Sequence, residues 1–474
     1  MSLLKEEIQA LHAEFKEHFI ERDEEILGAI LAIFANENVL YLGPPGTAKT
    51  YLAQNICKSI EGAQFFYYLL TRFTAPEEIF GPLSIQSLEK DVFKRKVDGC
   101  LPSSHVALLD EIFKANSSIL NSLLTLLNER RFHNGTEVID TPLLTVFGAS
   151  NELPEEDENL EALYDRFLFR YDVRYIQNED NVKALLFSNN SDFSTKVKLN
   201  IDNIKKIRGQ AHTVELSEEV QDIILSLKKH LERKDSEDTE NIQISDRRWK
   251  KIIGILKVAA AANERKKVDR TMLLILQHML WDVPDQKEAL RTLIIELLVT
   301  GGIETEKLDL EITNLQKIVN DAKEILDDEK LPVPVYSEDQ WSNNKKILTY
   351  KGLVEAYKNG KNAQFTIEST YSTRYNFAQI VDILKEKHNF ALPEGLATEK
   401  KLIYEKEYKN IEKQYKTHYK NVRTTFDEMK KDLESNIWLT PHDVDEVIHI
   451  QQDKLNKVHK LEEKLGMIKA VFHS

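Results

Sequence analysis

The chain is poor in cysteine: its 474 residues hold two, Cys57 and Cys100. Two thiols are too few for a disulfide framework or a thiolate metal site, and they fit a reducing compartment. Long hydrophobic runs are absent as well, so no transmembrane segment is expected. The N-terminus, MSLLKEEIQALHAEF, alternates apolar and charged residues at helical spacing and lacks the apolar centre of a signal peptide. The reading is a cytoplasmic protein. Positive charge is in short supply, with 64 Lys and Arg against 78 Asp and Glu, a net charge of −14. That balance removes any whole-chain attraction to nucleic acid or anionic lipid and leaves only a local basic patch to serve either. The histidines show no paired ligand spacing. What is present suffices for a large core: 42% of residues are hydrophobic and 30% charged, outside the composition of disordered chains, and the length suggests roughly three domains at about 150 residues each.

Residues 1–176 alternate short apolar runs with helical patterns, as in a parallel sheet covered on both faces. Candidate strands are Asn38 to Leu42, Gln64 to Leu70, Val106 to Leu109, Leu143 to Ala149 and Leu168 to Tyr175. Residues 177–300 read as all-helical, with LSEEVQDIILSLKKHLE, ISDRRWKKIIGILKVAAAA and DRTMLLILQHMLW carrying apolar residues at helical spacing. Beyond Gly301 a heptad seam begins at Leu308, Ile312, Leu315 and Val319, and a second runs from Tyr404 through Tyr415 and Val422 to Met429 and Leu433. Thr440-Pro441 with Asp443 opens a third such helix. These segments, 301–330 and 396–474, predict a discontinuous three-helix, coiled-coil-like stalk. Between them, 331–395 reads as a small β-containing domain with Asn359-Gly360 as a hairpin turn.

Asn38 to Leu42 runs straight into Gly43-Pro44-Pro45-Gly46-Thr47-Ala48-Lys49-Thr50 and then a helical segment, the order that a phosphate-binding loop requires. Loop N–H groups and the helix N-terminus would cradle phosphate, Lys49 would add a point charge, and Thr50 would offer its hydroxyl to magnesium. The strict pattern has glycine where this chain has Ala48. Val106 to Leu109 ends in Asp110-Glu111 at the carboxyl end of a strand; Asp110 would hold magnesium and Glu111 polarise the attacking water. Asn151, after the strand Leu143 to Ala149, would hydrogen-bond that water and the γ-phosphate. Arg166 or Arg170 could serve a neighbouring subunit's nucleotide, and Arg247 or Arg248, at the start of a helix in the all-helical region, could contact nucleotide and report it to the lid.

GPPGTAKT, HVALLDEIFKAN, FGASNELP and ALYDRF, in this order and spacing, resemble the MoxR branch of the AAA+ ATPases, in which alanine before the P-loop lysine is usual. LLTRFTAPEEIFGPLSI, LLTLLNERRFHNG and ISDRRWKK are similar to the RavA subgroup. The resemblance is specific for about the first 300 residues. It implies an α/β AAA+ core, a helical lid, ATP and Mg²⁺ as ligands, a homo-oligomeric ring, usually hexameric, and a partner bearing a von Willebrand factor A domain. It also implies two insertions, Phe80 to Pro102 and the hairpin Arg131 to Thr136 with Asn134-Gly135 as its turn, and an adenine clamp near Phe19 to Arg22. The resulting expectation is an ATPase that remodels, matures or regulates a protein client. The alternatives are a nucleic-acid-directed motor, against which the net charge argues, and a nucleotide-gated, non-catalytic scaffold.

Overall fold

The computed structural model describes residues 2–154, 158–187, 193–232, 242, 244–299, 302–325, 330–337, 347–359, 363–367, 373–390, 394–396 and 398–473. The chain divides into two units, Met1–Thr300 with Glu428–Ile450, and Gly301–Asp427 with Gln451–Ser474.

The first unit is built on a five-stranded parallel sheet of β1 (Asn38–Leu42), β2 (Phe65–Leu69), β3 (Val106–Asp110), β6 (Thr145–Ser150) and β7 (Phe167–Asp172), in the order β2-β3-β6-β1-β7. Every residue of β1 and β6 is buried, which is why these strands read as continuous apolar runs and do not alternate. Register pairs Leu42 with Ser150 and Asp172, and Asp110 with Ala149. The carboxyl ends of β1, β3 and β6 therefore share one rim. A hairpin of β4 (Arg131–Asn134) and β5 (Glu137–Asp140) precedes β6. Its turn is Gly135-Thr136, one residue beyond the expected Asn134-Gly135, because Asn134 pairs with Glu137 and turns its amide inward. That amide accepts from Arg95 N (2.6 Å) and donates to Arg95 O (3.0 Å), clasping the hairpin to the preceding insertion.

Helices Ile201–Ala211, Glu218–Leu231, Asp246–Ala262 and Gln286–Leu298, with the 3-10 segment Arg270–His278, form the all-helical part. Ser217 and Ser245 cap their helices by accepting from Val220 N and Arg248 N. The returning segment Glu428–Ile450 packs here: Met429, Leu433, Ile437, Leu439 and Val447 are buried in the same core, and Trp438 Nε1 donates to Ala259 O at 2.9 Å. Met429 and Leu433, expected on the stalk seam, therefore belong to the first unit.

In the second unit, Leu308, Ile312, Leu315 and Val319 of helix Gly302–Asp321 share a buried cluster with Tyr408, Ile411 and Tyr415 and with Val458, Leu461 and Leu465. A separate cluster holds the antiparallel strands Val335–Ser337 and Phe365–Ile367 together with helices Tyr350–Asn359 and Phe377–His388. Asn359 ends a helix and is not part of a hairpin; Gly360 lies outside the described residues. The helix forms because Tyr350, Leu353 and Tyr357 repeat at three and four, and Tyr357 stacks on Phe377 with centroids 4.4 Å apart.

Candidate functional site: a phosphate-binding rim and an arginine rim

β1 delivers the chain to Gly43 at the sheet's carboxyl rim, and the helix Lys49–Lys58 leaves from it. Three backbone positions in this loop have positive φ: Gly43 (+140°), Gly46 (+80°) and Ala48 (+64°). A Cβ on Gly43 would lie 2.1 Å from Val173 O, so glycine is required there. Ala48 tolerates its left-handed conformation at about 1 kcal/mol, as alanine is small and unbranched. Lys49 curls into the hollow of the loop, its Nζ donating to Gly43 O (2.5 Å) and Pro44 O (3.0 Å). Burial holds the ammonium below its usual range, against the attraction of Asp110 and Glu111. Thr47 donates to Pro44 O at 3.0 Å and closes the turn, and Thr50 follows Lys49 in the first turn of the helix. Phe19 and Arg22 line a recess with Thr47, Ala48 and Lys49, beside the loop.

β3 brings Asp110 and Glu111 to the same rim, and β6 brings Asn151. Asp110 Oδ1 accepts from Glu111 N at 3.0 Å, and burial pushes its carboxyl up. Glu111 takes φ +54°. Its carboxylate accepts from Asn151 Nδ2 at 2.9 Å and lies 3.1 Å from Lys114 Nζ. Sequence reasoning had no role for Lys114, since only the strained turn at Glu111 brings it back over the acid. Among the described residues no group of three His, Cys, Asp or Glu could hold a metal by itself. A divalent ion here would draw most of its ligands from phosphate and water, which suits magnesium with Thr50 and Asp110 as hard oxygen donors.

The arginines lie elsewhere. Arg166 directly precedes β7, whose first residue pairs with Asn38 at the start of β1; Asn38 Nδ2 donates to Arg166 O at 3.1 Å. Arg166 is thus at the opposite rim from Lys49, the two rims being separated by the length of a five-residue strand, about 16 Å. Burial, and then Arg247, hold its guanidinium below the usual range. Arg247 donates to Asn128 Oδ1, and Lys251, one turn further along its helix, pairs with Glu37 at 2.8 Å. The helix Asp246–Ala262 therefore starts beside Arg166 and not beside its own phosphate loop, so Arg247, expected to contact nucleotide, lies away from the Lys49 rim of its own chain.

Arg170 and Arg248 are not available to a ligand. Arg170 is 1% exposed; it donates to Trp281 O (2.5 Å), Asp282 Oδ1 (2.8 Å) and Phe167 O (3.1 Å), and lies 3.7 Å from the centroid of the Tyr164 ring. Arg248 shares Asp282 with it (3.2 Å) and donates to Met279 O (2.7 Å). Burial, then the charge of Arg170, lower Arg248 to about 10. The expectation of a ligand-contacting role for either is replaced by an internal junction around Asp282. Asp282 was missed in the sequence because nothing local marks it.

A family model described as the MoxR domain of MoxR-vWA-beta-propeller ternary systems matches residues 6–209, and an AAA lid domain model matches residues 219–294. Two proteins of Methanocaldococcus jannaschii, the uncharacterized proteins MJ0812 and MJ0079, are 44% and 42% identical to the chain over 280 and 283 residues, covering 59% and 60% of it and 72% of each relative. A structural protein of Acidianus two-tailed virus, ORF618, is 28% identical over 228 residues, covering 44% of this chain and 37% of its own. The solved structure of a candidate ATPase from Cytophaga hutchinsonii superposes with a TM-score of 0.50 at 20% identity, over 62% of this chain and 94% of that one. With a parallel sheet that gathers Lys49, Asp110, Glu111 and Asn151 at one rim and a helical lid matched in its own right, the chain belongs to the MoxR family of AAA+ ATPases.

Proposed function

We propose that this protein hydrolyses ATP at the boundaries of a ring, each pocket completed by a neighbouring copy, and spends the hydrolysis on remodelling, maturing or regulating a protein client. One observation carries the reading: the phosphate loop, Glu111 and Asn151 lie at one rim of the sheet, and Arg166 with Arg247 lies at the other. A nucleotide bound at the first rim is out of reach of Arg166 and Arg247 of its own chain, and in this reading an adjoining copy supplies them.

In this reading the loop N–H groups and Lys49 bind the β- and γ-phosphates, Glu111 orients and polarises the attacking water, and Asn151 hydrogen-bonds that water and the γ-phosphate. Thr50 and Asp110 would hold Mg²⁺, which supplies charge neutralisation across the phosphates. Arg166, with Arg247 beside it, would stabilise the charge that develops in the neighbour's pocket, a contribution of about 10³ to 10⁵ in rate where it has been measured in related chemistry. Phe19 and Arg22 would border the adenine. The reading is RavA-like in its finer form: a cytoplasmic hexamer, with the second unit as a discontinuous helical stalk and small β-containing domain that dock the client. The family model's wording supports a partner with a von Willebrand factor A domain. Among the described residues no helix is long and apolar enough to cross a membrane.

Glu111→Gln tests the reading. The variant should bind ATP as the wild type does and lose about 10² or more of its turnover, measured by phosphate release beside equilibrium binding of labelled nucleotide. Undiminished turnover would remove Glu111 from the mechanism.

A further inference from the structure

Glu111 is gripped from two sides, and the second grip has no role in the mechanism so far. β3 ends at Asp110, and the left-handed backbone at Glu111 (φ +54°, ψ +45°) folds the next three residues, Ile112–Lys114, into a single 3-10 turn. The closing bond of that turn runs from Lys114 N to Glu111 O at 2.9 Å. In a 3-10 turn, side chains three apart eclipse one another. The turn therefore sets Lys114 over Glu111, with Nζ 3.1 Å from Oε2, while Asn151 Nδ2 lies 2.9 Å from Oε1. The two donors come from different elements, one from the turn after β3 and one from the end of β6, so together they fix the plane of the carboxylate. The Lys114 side chain is 46% exposed, but that of Glu111 is only 16% exposed, which sets this pair apart from ordinary solvated ones.

We propose that Lys114 is a positioning residue for ATP hydrolysis: its ammonium holds one carboxylate oxygen of Glu111 so that the other faces the water to be polarised. Each carboxylate oxygen can accept two hydrogen bonds, so Oε1 keeps a lone pair for that water while it accepts from Asn151. Lys114 touches neither phosphate nor water in this account and acts only through Glu111. The inference rests on the ATPase reading above and names a further residue for it.

Steady-state MgATP hydrolysis by the full chain, with and without substitution, tests it. Lys114→Ala should lower kcat about tenfold and leave KM within about twofold, because the contact orients a group without binding substrate. Its melting temperature should match the wild type. Lys114→Arg, which restores the cation, should recover most of the loss. In the Glu111→Gln background, Lys114→Ala should leave the residual single-turnover rate unchanged, since a residue that acts through another has no effect once the other is removed. An unchanged or raised kcat in Lys114→Ala, or an equal fractional loss in the Glu111→Gln background, overturns the proposal while leaving the ATPase reading intact. A wild type with no Glu111-dependent turnover overturns both.

Discussion

Arg166 and Arg170 stand four residues apart and live in opposite surroundings, so their substitutions should separate cleanly. Arg170→Ala would strand the Trp281 carbonyl and empty the buried space beside the Tyr164 ring, while Asp282, whose side chain is 40% exposed, keeps Arg248. A loss of about 2–4 kcal/mol is expected from the cavity and the unpaired carbonyl, seen as a lowered melting temperature. Arg166→Ala should melt with the wild type and lose about 10³ of its turnover, read from phosphate release on the assembled protein. Glu25 offers a different test. Burial raises its carboxyl from 4.5 to about 7, with Arg22 pulling the other way. The unfolded chain releases this proton near 4.5 and the native chain holds it to about 7. Between those values the unfolded state binds fewer protons, and stability falls as pH rises. Glu25→Gln removes that dependence. Its stability advantage should open above about pH 4.5 and level off past pH 7 at roughly 3 kcal/mol, measured as the urea midpoint against pH.

At the scale of elements, what could be read from the letters depended on whether burial alone decides the conformation. β1, β3, β6 and β7 were legible because strands covered on both faces are mostly apolar, with few polar residues such as Arg170 among them. The phosphate loop was legible because its glycines are a backbone requirement, as Val173 O shows at Gly43. The pairing of Lys49, Asp110 and Glu111 at one rim follows from strand order alone. The hairpin turn moved by one residue because Asn134 is occupied by Arg95, a partner 39 residues away. The expected turn at Asn359 misled because an asparagine at a helix end looks the same as one between strands. Arg170 and Arg248 misled because spacing does not say which of two nearby guanidiniums is buried, and Asp282, which decides it, lies 112 residues from one and 34 from the other.

At the scale of the whole molecule, the segment Glu428–Ile450 completes a core that begins at the N-terminus. Arg291 spans it, pairing with Asp443 (2.6 Å) and Glu446 (2.5 Å), while Arg265 Nη2 donates to Asp432 O (3.0 Å). A fragment that stops at Thr300 should therefore expose the apolar surface that Trp438, Leu439 and Val447 cover. It should melt below the full chain and scatter light at concentrations where the full chain stays clear. The placement of Lys49 and Arg166 at opposite ends of the same strands reaches further. Under the proposed reading each polypeptide carries a socket at one end and a plug at the other, and folding cannot bring the two together within one copy. On the same reading, the pace of each molecule depends on how crowded the solution is with its siblings, and dilution alone should slow it.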